Sequence, residues 1–282
     1  MKRWQRNVLG ATAAAIGGGA AAVSAGSTAW NQATARAVAR LTHDAAATDE
    51  RFSPERMDGL PGPVRRYFEY ALTPGRRLIR TARVTHAGRF RTGLEAGWMR
   101  FHSVQVFTAR PPGFVWDARI RMAPLLSIRV RDSYVNGAGS MLGSIASVVP
   151  VVDVQGGPEL AAGALHRYLA EAVWLPTALL PSSGVRWDAV DDFTARATMT
   201  DGETSVWLDF RFDAEGRILE VFTPARFRDV NGTGVPTPWT GRFHDWVQVD
   251  GVRIPTRGEV DWLLPEGTLT YWRGRVTSVS YD

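Results

Sequence analysis

Cysteine is absent from all 282 residues. Disulfides, thiolate nucleophiles and cysteine-based metal sites are therefore excluded. The compartment is not fixed by this, because exported proteins also fold without bridges. Lysine is nearly absent: Lys2 stands alone among 33 basic residues, and the rest are arginine. There is no long basic run. Most arginines stand singly among Asp, Glu and apolar residues, and no nucleic-acid reader motif occurs, so the net charge of +5 does not point to nucleic acid. Also missing are a phosphate loop, a Gly-x-Ser-x-Gly elbow, a His-Glu-x-x-His pair, a regular calcium loop and any internal repeat. No metal or cofactor is implied by any motif.

What is present is aromatic. Eleven Trp and twelve Phe, in a chain that is 45% hydrophobic, supply a thick β core or line an apolar cavity. The N-terminus carries Lys2, Arg3 and Arg6, then a charge-free, Ala/Gly-rich stretch from Val8 to Trp30. Val23-Ser24-Ala25 fits a small-residue cleavage site. The stretch is also long enough to span a bilayer uncleaved. Residues 1–30 thus predict a signal peptide or membrane anchor, with the following domain outside the cytoplasmic membrane. Gly17, Gly18 and Gly19 belong to this low-complexity run. Residues 31–54 predict a linker, or in part a loose helix, before a domain over 55–282.

Val64, Tyr67, Phe68, Ala71 and Leu72 recur at helical spacing between Pro63 and Pro74. A period of two then takes over. Phe114, Trp116, Ala118, Ile120 and Met122 alternate with Asp117, Arg119 and Arg121, and Ile128 and Val130 with Arg129 and Arg131. Val104 and Val106 alternate with polar Ser103 and Gln105, and Phe107 follows. The glycines at 137, 139 and 143 suggest a flap running into the apolar Val148–Val152, itself either a buried strand or part of that flap. Pro158-Glu159 opens the best helix, with Leu160, Ala161, Ala164, Leu165, Tyr168, Leu169, Ala172 and Val173 as its apolar face and His166, Arg167 and Glu171 facing away. Strands resume to the end: Val206, Leu208, Phe210 and Phe212 alternate, and Asp201-Gly202 and Asp250-Gly251 mark hairpins. The pattern predicts about nine to eleven strands and two or three helices. The fold class is α+β, mainly antiparallel β: a single large curved sheet, half-barrel-like, on one main helix plus short helices.

Candidate chemistry is sparse. None of His43, His86, His102, His166 and His244 pairs at zinc-ligand spacing, and His166 is expected to be solvated. His244-Asp245 could form a base with an orienting carboxylate, but neighbours on a strand point to opposite faces. Ser140, Ser182 and Ser183 lack a nucleophile setting, and Asp188, Asp191 and Asp192 read as a charged turn. No catalytic residue is assigned. Arg119, Arg121, Arg129 and Arg131 form either a solvated face, neutralised in part by Asp117 and Asp132, or an anion site. The candidate ligand-binding residues are Phe114, Trp116, Ile120, Met122, Val206, Leu208, Phe210 and Phe212, all expected on the inward face.

Two stretches, Pro111-Pro112-Gly113-Phe114-Val115-Trp116-Asp117-Ala118-Arg119 and Trp174-Leu175-Pro176-Thr177-Ala178-Leu179-Leu180-Pro181, the latter followed by Val185-Arg186-Trp187, carry a resemblance. With Leu60-Pro61 to Tyr67, Pro238-Trp239 and Tyr271-Trp272-Arg273-Gly274, they resemble a bacterial family of unknown function over residues 55–282. More distantly the chain is similar to the periplasmic lipoprotein-carrier fold and its mycobacterial lipid-binding relatives. That resemblance implies a curved sheet with helices plugging its concave side and an acyl chain as partner. The expected function is therefore an envelope-associated binding domain for an apolar or lipid-like ligand, without catalysis. A hydrolase using a His/Asp pair, or a structural domain with a filled core, remain open alternatives.

Overall fold

The computed structural model describes residues 3–45, 49–124, 126–230 and 232–282, with side chains from residue 19 onward. Among the described residues there are three α-helices: α1 (Arg3–His43), α2 (Gly62–Ala71) and α3 (Pro158–Glu171). The strands are β1 (Thr81–Phe90), β2 (Met99–Thr108), β3 (Gly113–Ala123), β4 (Leu126–Val135), β5 (Ala138–Ile145) and β6 (Val149–Gln155), then β7 (Val185–Ala189), β8 (Thr194–Asp201), β9 (Thr204–Phe212), β10 (Ile218–Val230), β11 (Thr233–Val249), β12 (Val252–Leu264) and β13 (Gly267–Tyr281). All thirteen belong to one sheet in the order β6-β5-β4-β3-β2-β1-β13-β12-β11-β10-β9-β8-β7, and every neighbouring pair is antiparallel.

The chain begins the sheet in its middle. It meanders outward to β6, crosses through α3 and three short 3-10 turns to the opposite edge, and meanders back until β13 pairs with β1. Helix α3 packs on β4 and β5 of one limb and on β9 and β10 of the other. Tyr134 at the end of β4 donates a hydrogen bond to Asp201 at the end of β8 (2.8 Å). The sheet is thus curled into a half-barrel whose limbs are bridged and plugged by α3. Where α3 meets β5, a Cβ at Gly139 would lie 2.7 Å from the Leu160 carbonyl oxygen. That close approach explains a glycine inside a strand.

Helix α3 starts at Pro158, after Gly157 at φ 89°, and buries Leu165, Tyr168 and Leu169 completely. The 3-10 turns Ala172–Trp174, Pro176–Leu179 and Pro181–Ser183 continue the plug, with Trp174, Leu175, Leu179 and Leu180 in the core. Helix α2 closes the space beside β8 and β12 with Val64, Tyr67 and Phe68.

Several expectations are corrected. Residues 137–143 are not a flap: they lie in regular strand β5 and its turn, paired residue by residue with β4. Val149–Gln155 is the edge strand β6, exposed along almost all its length. His166 is buried rather than solvated, its Nδ1 3.0 Å from the Ala162 carbonyl oxygen. Ser103 and Gln105 face the core, while Val106 faces outward. The reason an apolar residue faces outward here is α1. Ala37 and Leu41 cover Val106 and Val115 on the convex side, so that face needs apolar residues too.

Residues 31–43 continue α1, which runs along the convex face of β2, β3 and β4. Trp30 donates its Nε1–H to Asp117 (3.0 Å), and its ring meets the guanidinium groups of Arg129 and Arg131 at 5.6 and 5.0 Å. Arg131 also bonds Thr34 (3.0 Å) and Arg129 bonds Asp117 (2.6 Å). Among the described residues no helix is long and apolar enough to cross a membrane. Lys2 lies outside the described residues, as do the side chains of Arg3 and Arg6.

Candidate functional site

Strand alternation sends every second side chain of each strand to the concave face. On β3 these are Phe114, Trp116, Ala118 and Ile120, all buried, followed by Met122 at the rim, 47% exposed. The register places Tyr134, Asp132, Val130 and Ile128 of β4 beside the first four, and Phe107, Gln105, Ser103 and Phe101 of β2 on their other side. Val206, Leu208, Phe210 and Phe212 are buried on β9, in the opposite limb. There Trp187 meets Phe210 at 5.1 Å and Tyr67 meets Phe212 at 6.0 Å. The eight expected ligand residues therefore occupy two places. The β9 four sit in a filled core, and the β3 four run from beneath α3 to the open rim.

Between α3 and the sheet lies a buried polar cluster. Arg167 donates to Asp132 (2.6 Å) and to Glu171 (2.9 Å), and Gln105 donates to Glu171 (2.6 Å). The Arg167 guanidinium also lies 4.9 Å from the ring centroids of both Phe114 and Trp116. Burial works against its charge, but Glu171 and Asp132 outweigh it and raise its pKa. Burial raises the pKa of Glu171, against the pull of Arg167. One cation thus shares two carboxylates inside the protein, an arrangement that holds only while all partners are present.

His86 lies next to this cluster. Its ring meets Trp174 at 4.6 Å and Trp272 at 5.8 Å. It is only 1% exposed, and burial, then the charge of Arg167, pushes its pKa down to about 3. Neither ring nitrogen has a hydrogen-bond partner among the described residues. Nor do the Ser103 hydroxyl, the Gln105 Oε1 or the Trp116 indole N–H. Ser103 is directly opposite His86, and Gln105 is opposite Val84 and Trp116, so these orphaned groups share one patch of the concave face. Each unsatisfied buried polar group costs about 1–3 kcal/mol, so such a patch calls for an explanation.

Beyond His86, the chain makes room for an aromatic ring lying against the sheet. Gly88, Gly274 and Gly258 are adjacent in register on β1, β13 and β12. The ring of Trp272 occupies the place a Cβ of Gly274 would take and touches that of Gly258, while Phe101 crowds Gly88. Past it, Phe90, Met99, Ile128, Val130, Val260 and Tyr271 pack on the core but stay partly exposed. They form an apolar mouth at the end of the sheet where the β1–β2, β3–β4 and β12–β13 hairpins turn. A rim cleft of about 280 Å³ there is lined by Trp98, Met99, Arg100, Arg121, Met122, Ala123 and Pro124.

The remaining sequence candidates do not assemble. Asp245 is paired with Arg257 (2.9 Å) rather than serving His244, and both His244 and Asp245 are exposed. Ser140 shares a hydrogen bond with Ser133 (2.7 Å). Asp188 pairs with Arg186 (3.0 Å), and Asp191 caps the N–H of Phe193 (2.8 Å). Among the described residues no group of three His, Asp or Glu is placed to hold a metal. Sequence reasoning missed the cluster of Asp132, Arg167, Glu171, Gln105 and His86. The only available signal was the alternation of Phe101, Ser103, Gln105 and Phe107, which puts polar groups in phase with aromatic ones.

Comparison with solved structures finds a domain described as an outer membrane lipoprotein-sorting protein from Vibrio parahaemolyticus. It is 12% identical, with a TM-score of 0.43 over 72% of this chain and 86% of that one. A LolA superfamily protein from Nitrosomonas europaea is also 12% identical, with a TM-score of 0.34 over 78% of this chain and 92% of the other. No curated protein matches. The family model of DUF6920, a family of unknown function, matches residues 58–281, and the chain belongs to that family.

Proposed function

We propose that this protein is a binding module that holds an apolar, lipid-like molecule against the concave face, with no catalytic step. One observation carries this reading: partly exposed apolar side chains at the mouth (Phe90, Met99, Ile128, Val130) share the concave face with buried polar groups that have no partner (His86, Ser103, Gln105), with only the rings of Phe101 and Trp272 packed between them. An amphiphile with an apolar tail and an uncharged, hydrogen-bonding head matches that order. The neighbouring Arg167 is already occupied by two carboxylates, which disfavours a strongly anionic head at this point. Four residues of strand, about 13 Å, separate Phe90 from His86, the length of a medium acyl chain. The basic start and the charge-free stretch after it favour a domain held at the cell envelope. The hydrolase alternative loses its orienting carboxylate to the Asp245–Arg257 pair.

The test is titration of the full-length protein with a fluorescent fatty acid or fatty alcohol, together with native mass spectrometry of the protein as purified. Saturable binding that Met99→Trp or Ile128→Trp weakens at least tenfold, with the thermal midpoint kept, supports the reading. Failure of both probes to bind, with no co-purified lipid, overturns it and leaves a filled-core interaction domain.

A further inference from the structure

The convex face carries a feature that ligand uptake on the concave face does not use. Arg273 of β13 is paired in register with Arg89 of β1, Arg89 with Arg100 of β2, and Arg100 with Arg121 of β3. Four arginines therefore stand side by side across four adjacent strands. One row further in, Arg275 is opposite Arg257, and Arg119 is opposite both His102 and Arg129. Side chains directly opposite on neighbouring strands are about 4.5–5.5 Å apart at Cβ, and like charges there are destabilising. Of the row of four, Arg273 pairs with Glu259 (3.1 Å). Arg89, Arg100 and Arg121 are exposed and have no carboxylate partner among the described residues. A folded sheet that tolerates this repulsion presents a surface built for polyanions.

Apolar groups mark which polyanion. The ledge lies beside the hairpin tips, where Met122, Leu126, Val148 and Val149 are all exposed. Trp98 stands at the same end, its ring faced by Arg91 at 4.8 Å and Arg273 at 5.1 Å. Helix α1 descends the convex face toward that end. Gly26 lies against the Ser147 carbonyl of the β5–β6 turn, so Arg3–Val23 projects beyond the hairpins. Arginines rimming exposed aliphatic tips and an interfacial Trp form the pattern of a surface that sits in lipid headgroups. Nucleic acid would match the arginines but not the exposed Met122, Leu126 and Val149.

We infer that this end of the half-barrel is a membrane contact in its own right, in which the Arg89–Arg100–Arg121 ledge binds anionic headgroups while Met122 and Leu126 enter the interface. The inference goes beyond the proposed ligand binding, since its arginines stand on the other face of the sheet and only Met122 belongs to the concave rim. It also sets the apolar mouth down on the bilayer from which a lipid would come.

The absence of cysteine allows a clean test in the full-length chain. Met122→Cys, labelled with an environment-sensitive fluorophore, reports on the tips, and Ala138→Cys reports on the opposite end of the sheet. The readout is the local probe rather than total binding, so that any vesicle affinity of α1 does not enter the comparison. The expected result is a blue shift of the Met122 probe on phosphatidylcholine vesicles containing phosphatidylglycerol, with little shift on phosphatidylcholine alone or at high salt. The Ala138 probe stays silent. Replacing Arg89, Arg100 and Arg121 by Gln lowers the vesicle affinity seen by the Met122 probe about 100-fold at low salt, at roughly 1 kcal/mol per arginine. The thermal midpoint of this variant confirms that it folds. An equal shift on neutral vesicles, no shift on anionic ones, or no effect of the triple variant overturns the inference. So does a single-stranded oligonucleotide that competes the probe off anionic vesicles at lower concentration than the lipid, which would make the ledge a nucleic-acid surface.

Discussion

Lowering the pH from 7 to 5 tests the burial of His86 and His166 directly. In the folded protein His86 is held down at about 3, by burial and then by Arg167, and His166 at about 4, by burial and then by Arg226. In the unfolded chain both return to about 6.5. A depressed histidine stays neutral in the native state while the unfolded state takes up a proton. Its contribution is therefore complete above pH 6.5 and is lost as the pH falls from there toward the folded value. Each histidine removes about 2 kcal/mol between pH 7 and pH 5, and the two together about 4 kcal/mol. That is a large share of the 5–15 kcal/mol or so of a typical domain. Glu171 acts in the opposite sense, because its raised pKa makes the native state the better proton acceptor in acid. Comparison with a variant isolates the histidine. In His86→Phe a ring remains between Trp174 and Trp272, and about half of the histidine-linked loss should vanish. Urea unfolding followed by tryptophan fluorescence at pH 7, 6 and 5 measures it. Parallel pH dependences for wild type and His86→Phe would refute the buried, unpartnered neutral imidazole.

Other perturbations follow from the same packing. Asp132→Ala leaves the Arg167 charge short of a partner and should cost about 3–5 kcal/mol in chemical denaturation, with Asp132→Ala/Arg167→Met recovering part of it. Gly274→Ala puts a methyl where the Trp272 ring lies. It should cost about 1–3 kcal/mol and alter the near-UV circular dichroism of the tryptophans. Trp30→Ala removes the bond to Asp117 and the ring between Arg129 and Arg131. It should speed tryptic cleavage at the exposed Arg36 and Arg40 while moving the domain's thermal midpoint little.

The architecture was legible where one physical signal dominated. Proline at the start of α3, the Asp-Gly hairpin turns and the alternation of β3 and β9 each report a local preference that the fold keeps. Legibility failed where two layers cover one sheet. Val106 and Val115 face outward because α1 lies on them, and no period-two pattern can say which apolar set faces which layer. The polar face of α3 misled for a related reason. Arg167 and Glu171 read as solvated at their helical positions, but their partners, Asp132 and Gln105, are 35 and 66 residues away in sequence. The arginine ledge was half visible. Arg119 and Arg121 stand on one strand, but the row through Arg89, Arg100 and Arg273 exists only once the register between β13, β1, β2 and β3 is known.

The order of the strands has a consequence for how the molecule comes into being. Strand β1 finds its second neighbour only in β13, whose residues follow it by nearly the whole domain: Ala82 meets Tyr281. As the chain leaves the ribosome, six strands can zip into one limb while β1 waits at an open edge. The other limb grows inward from β7, and the two join at a central seam sewn last. Contacts of such long sequence separation slow folding and leave unpaired edges open to other chains meanwhile. A nascent chain stalled before β13 should be a chaperone client, however complete its first limb.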